Sequence, residues 1–319
     1  MSHEVETMAY MGETPWHGLG NPLTPHQPIE TWAQQAGMNW QICRSPVQFM
    51  PEQVGYMAVS KSYSDKSVLY RSDTKAPLSV VGSRYKVVQP REILEFYRDL
   101  TEKSGFELET AGVLKDGKKL WALARTGQSA CLKGNDISNG YVLLATACDG
   151  SMATTAQFTS IRVVCNNTLT IALTEGQGVI KVPHSKTFDA MAVKKALGIS
   201  VSAWDDFMYQ MKILSERKLT SREANKFVNE VFSNPSTIGK SHANERAKSS
   251  VLELYNGHGK GAELMSAKNT AFGLLNAVTE FVDHERKAKD TDYRLDSAWF
   301  GQGAVLKEKA LKQAQLLAA

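Results

Sequence analysis

The chain has 319 residues, 42% of them hydrophobic and 22% charged, with a net charge of +4. It is long enough for two domains, or for one large core with an appendage, and it buries that core without staples. The opening MSHEVETMAY has neither a basic n-region nor an apolar h-region, and the longest apolar run, near Tyr141–Cys148, is too short to span a bilayer, so neither a signal peptide nor a membrane helix is expected.

Charge is distributed unevenly. Residues 1–60 hold one basic residue, Arg44, against five acidic ones, while 61–189 hold 17 against 13 and 190–319 hold 19 against 15. The sequence divides accordingly into an N-terminal arm (1–60), an α+β core (61–182) and a helical region (190–319). The excess of four positive charges in each later segment tolerates a polyanionic partner without demanding one.

Residues 1–26 are rich in turns and rings. Glycines and prolines around Trp16 and His17 forbid a regular helix. The segment reads either as a recognition loop or as an arm pinned down by Trp16 and Leu19. A short helix follows over 28–36, with Pro28 in its first turn and Gly37 past its end. Residues 39–59 are extended but broken by Pro46 and Pro51. Val68–Tyr70 and Leu78–Val81 bracket a polar turn and form a hairpin, and Arg84–Val88 continues its second strand. Pro90 opens a helix to Ser104 with Ile93, Leu94, Phe96, Tyr97 and Leu100 on one face, and Gly105 closes it.

Phe106–Arg125 is the clearest hairpin, with Asp116-Gly117 at its turn. On the return strand Leu120, Ala122 and Ala124 share one face, and Lys119, Trp121, Leu123 and Arg125 the other. Residues 127–140 read as a loop. Tyr141–Cys148 and Ala153–Cys165 are two more strands, with Phe158, Ser160, Arg162 and Val164 on one side. Beyond the polar linker 183–189 the signal is helical: 188–197, 203–218, a helix capped by the Thr220–Glu223 box and stopped at Asn234-Pro235, 244–255, a long helix over 266–287, and a last one over 305–317. The fold class is therefore α+β: an antiparallel sheet with a packed helix, followed by a helical C-terminal half.

Chemistry-bearing motifs are sparse. The four cysteines, Cys43, Cys131, Cys148 and Cys165, include no CxxC pair and suit a reducing cytoplasm. The Asn256–Gly261 loop around Lys260 has glycines that aim amides at a phosphate, or simply link two helices; it is not a P-loop. Asp283-His284-Glu285 are adjacent on a helix and do not converge on one metal. No nucleophile elbow is present. No catalytic residue, metal site or cofactor is expected.

One surface stands out. Lys119, Trp121 and Arg125 on one strand, with Arg84, Tyr85 and Lys86 on a neighbour, place cations beside stacking rings, the pairing that holds single-stranded nucleic acid. Arg162 and Lys260 join this set of nucleic-acid-binding candidates. The bland alternative buries Trp121 under a helix and leaves the cations solvated.

Several stretches carry a likeness. TPWHGLG at Thr14–Gly20, SRYKVVQP at Ser83–Pro90, AGVLKDGKKLWALA at Ala111–Ala124, RVVCNNTL at Arg162–Leu169 and NTAFGLLNAVTEFVDH with the later Trp299-Phe300-Gly301 resemble the phage/plasmid-like protein family, domain of unknown function 932. The resemblance spans nearly the whole chain. It implies a protein encoded by a mobile element and acting in DNA metabolism or host conflict, and it supplies no catalytic residues. The general plan also resembles that of phage single-strand annealing proteins, a likeness of architecture alone.

The expected function is non-enzymatic single-stranded DNA binding in the cytoplasm of a bacterial host, in annealing or recombination. The alternative is a protein-binding module that inhibits host restriction or defence, using Trp16, His17 and the acidic arm against a host protein. Self-association is an expected assembly; a membrane is not an expected partner.

Overall fold

A computed structural model of the chain describes residues 7–12, 20–51, 59–104, 106–162, 164, 167–170, 179–197, 201–233 and 242–318. Its centre is the turn at residues 115–118, where Lys115, Asp116 and Gly117 take φ of 55°, 58° and 93°. A left-handed run of this kind matches the twist of a hairpin, and glycine, lacking Cβ, enters it without penalty. The turn joins β6 (Glu107–Leu114) to β7 (Lys119–Leu132), with Leu114 opposite Lys119 and Gly112 opposite Trp121.

The sheet grows from this hairpin in both directions. On one side lie β8 (Asp136–Ala147), β9 (Thr154–Arg162) and β10 (Asn167–Thr170); on the other lie β1 (Thr7–Met11) and β2 (Asn21–Leu23). β11 (Val179–Val182) pairs with the first half of β9, beside the stretch that β10 takes. A second sheet holds β3 (Ile42–Phe49), β4 (Lys61–Arg71) and β5 (Pro77–Gly82), in that order. The N-terminal segment is thus two strands of the main sheet and one of the smaller, and a boundary at residue 60 falls inside the smaller sheet.

Alternation along β7 sorts its side chains as the sequence predicts. Leu120, Ala122 and Ala124 join the main core, under Ile93, Leu94, Phe96 and Tyr97 of α2 (Pro90–Ser104). The Tyr97 hydroxyl donates to the Ala122 carbonyl at 2.7 Å, which seats α2 on the sheet. Trp204 and Phe207 of α4 (Val201–Glu216) pack in the same core. Trp121, Leu123, Tyr141 and Leu143 form a second cluster on the opposite face, with Leu295, Trp299 and Phe300 of α8 (Thr291–Phe300).

The remaining helices are α1 (Ile29–Gln35), α3 (Ala190–Leu197), α5 (Ser221–Phe232), α6 (His242–Glu253), α7 (Ala271–Glu280) and α9 (Gln302–Ala318). Every residue of α7 is buried, as befits a helix at the middle of a core rather than on its surface. The helical half is therefore packed into the sheet's own core and is not a free-standing unit. The class is α+β. No helix among the described residues is long and apolar enough to cross a membrane.

The β10 edge is closed by side chains. Asp283 accepts from the Thr168 N–H at 2.7 Å, while Lys307 donates to the Thr168 carbonyl at 2.9 Å and to Asp283 at 2.8 Å. A buried ion pair thus takes the hydrogen bonds that a further strand would make, which blunts an edge otherwise open to pairing.

Four local expectations are corrected. Residues 127–140 are not a loop: β7 runs to Leu132 and pairs Ser129 with Asn139 and Leu132 with Asp136, past a bulge where Gly127 takes φ 80°. Residues 84–88 do not continue β5, because the Tyr85 N–H bonds back to the Gly82 carbonyl and turns the chain. The long helix starts at Ala271 rather than 266, since the Thr270 hydroxyl caps it by accepting from Gly273 N. α8 was not anticipated as a helix, and it decides what the sheet exposes. Trp16, His17, Gly105, Cys165 and Asn234-Pro235 lie outside the described residues.

Candidate nucleic-acid interface

The strand face expected to be open is covered. Trp121 is 2% exposed and meets the Trp299 ring edge-on at 4.9 Å between centroids. Lys119 is 6% exposed and ion-paired to Asp296 of α8, which Lys115 also reaches at 2.5 Å. The physical reason is the apolar character of that face: Leu123, Leu143 and Trp121 need a cover, and α8 supplies Leu295 and Trp299. Lys119 and Trp121 are therefore not a surface for a ligand in this structure.

The other candidates divide. Arg162 is 4% exposed and holds buried Asp136 in a two-pronged pair at 2.7 Å on each side, and it donates to the Gly261 carbonyl at 3.1 Å. It ties the glycine loop to the sheet and is structural. Lys260 is exposed, but its N–H donates to both Glu280 oxygens, at 3.0 and 3.1 Å, and the Gly259 N–H donates to Leu254. Two amides that a phosphate would need are already taken. Arg125 is half exposed and pairs with Glu109 at 3.4 Å. Arg84 and Lys86 are exposed. Tyr85 is stacked on His184, 4.4 Å apart, with its hydroxyl donating to the Ala147 carbonyl, so its ring is one wall of a packed joint.

Arg84 and Lys86 do not stand alone. β5 pairs with β4 only from Lys66 onward, opposite Gly82. Beyond that point β4 pairs with β3 alone, Val47 opposite Tyr63 and Phe49 opposite Lys61, after a bulge next to Pro46. The result is a two-stranded ribbon with no third strand beside it among the described residues. Residues directly opposite share a face, as do residues two apart, so Val47, Phe49, Tyr63 and Lys61 lie together. Phe49 is 48% and Tyr63 51% exposed, and residues 61–66 are all exposed. Arg44 on β3 and Lys66 on β4 are exposed, as are Arg84 and Lys86 in the turn after β5, with exposed Asp65 beside Lys66.

Phe49, Lys61 and Tyr63 were not singled out by the sequence. Their signal is the run KSYSDKS at Lys61–Ser67, which has strand-forming spacing yet no apolar face at all. A strand with two polar faces has nothing to bury and so projects.

No group of three or more metal-ligating side chains is found among the described residues. His284 bonds to the Asn167 side chain at 3.1 Å, and Asp283 is held by Lys307 and Thr168, so the Asp283–Glu285 run serves packing. Burial pushes the Cys148 thiol up to about 12, far from a nucleophile's range.

No curated protein and no solved structure matches the chain. Residues 77–299 match the family described as domain of unknown function (DUF932). The match takes in β5, the central hairpin, the long helical run and α8 up to Trp299, and begins after the ribbon. The chain belongs to the DUF932 family.

Proposed function

We propose that the chain binds single-stranded DNA at the β3–β4 ribbon and holds it without chemical change. One observation carries this reading: the half-exposed rings of Phe49 and Tyr63 share a ribbon face with Lys61. A ring offers any base a stacking plane, worth about 1–3 kcal/mol per base, while cations track the backbone. Lys66 adds a further exposed cation on β4, and Arg84 and Lys86 add two in the turn that follows β5. On this reading the DNA is that of a phage or plasmid in a bacterial cytoplasm, undergoing annealing or recombination, as the family resemblance implies.

The test is a titration of a labelled oligonucleotide at two salt concentrations, with a duplex of the same sequence as competitor. Contact of Lys61, Lys66, Arg84 and Lys86 with phosphates gives a log–log salt slope near −3, at about −0.7 per phosphate. Absence of binding at low salt, binding without a slope, or preference for the duplex contradicts the proposal. A second reading has its own support. Met50 and Val59, at the ribbon's far end, are 73% and 59% exposed, and bare apolar side chains suit a host protein better than a phosphate backbone. That partner would bind with little salt dependence and be lost in Met50→Ser.

A further inference from the structure

The contact between α8 and β7 has an unusual composition for a core. A single carboxylate, Asp296, receives both Lys115 and Lys119, and the Trp299 ring packs edge-on against Trp121. The Trp121 indole N–H is buried with no acceptor. An anion between two lysines, with a ring against a ring, is the pattern by which a nucleotide would be held on that face. α8 is ten residues long, entered after the irregular stretch 286–290 and ended at Gly301. Trp299 and Phe300 are only half-buried and Tyr293 is 44% exposed.

We propose that α8 is an internal stand-in for nucleic acid: Asp296 occupies a phosphate position and Trp299 a base position, and displacement of α8 opens a second contact face of Lys115, Lys119 and Trp121. The inference rests on the single-stranded DNA reading above and adds a latent site to it. The ribbon captures the strand, and the strand then competes with Asp296 for the two lysines.

Two measurements test it. Asp296→Asn removes the carboxylate, so oligonucleotide binding tightens and the salt slope steepens by about 1.4, the release expected for two further phosphates. Hydrogen exchange on the unmodified protein guards against an Asp296→Asn variant that fails to fold: saturating oligonucleotide raises exchange at 291–300 while protecting 61–66. Binding by the unmodified protein with no change in slope in Asp296→Asn, or with unchanged protection of 291–300, overturns the stand-in role of α8 and leaves ribbon binding standing. Absence of binding by both proteins overturns the stand-in role together with the reading beneath it.

Discussion

Arg162 illustrates how burial decides a residue's role. Its guanidinium is shared by Asp136 and the backbone of the glycine loop, and Asp136 also accepts from Ser266 at 2.5 Å. Arg162→Ala leaves a buried carboxylate without its counter-charge, a change that costs about 3–5 kcal/mol. Urea unfolding is expected to register that loss, and any oligonucleotide still bound by the folded fraction is expected to keep its salt slope. Glu280 makes a pH prediction. Burial raises its carboxyl above the ordinary 4.5, opposed by the Lys260 N–H that it accepts. The folded protein therefore holds this proton to higher pH than the unfolded chain does, and stability falls as pH rises from 4.5 through the raised value. Glu280→Gln removes that slope, so the variant gains on the native protein as pH rises. Parallel stability curves for the two proteins would show that the carboxyl is not desolvated.

Single elements were legible wherever local chemistry and tertiary fate agreed. The Thr220 box is formed as written: its hydroxyl accepts from Glu223 N while Glu223 accepts from Thr220 N. Thr220→Ala is expected to cost about 1 kcal/mol, read as a lower thermal midpoint. The Pro90–Ser104 helix and the Asp116-Gly117 hairpin appear with the predicted faces, because a cap, a turn residue and an apolar stripe all point the same way. The 127–140 segment was illegible because glycine and polar residues dominate it, and only the length of its partner strand makes it pair. α8 was illegible for a related reason. Asp290 caps it through Tyr293 N, but Leu295, Ala298 and Trp299 give a stripe of little more than one turn in a ten-residue helix, too short to stand out. That one unrecognised helix removed Lys119 and Trp121 from the surface, so this part of the predicted site is closed by an element elsewhere in the chain. The alternation that put those two residues on one face was correct.

At the scale of the molecule, the main sheet has helices on both faces, and its β10 edge is closed by Asp283 and Lys307. Among the described residues the smaller sheet's ribbon is exposed and carries the rings of Phe49 and Tyr63 beside Lys61. The most direct measurement is the affinity of Phe49→Ala/Tyr63→Ala for a single-stranded oligonucleotide, with circular dichroism confirming an unchanged fold. Two lost stacking planes at about 1 kcal/mol or more each weaken binding by at least about thirtyfold. Affinity equal to that of the unmodified protein would contradict the assignment of the ribbon as the DNA-binding surface.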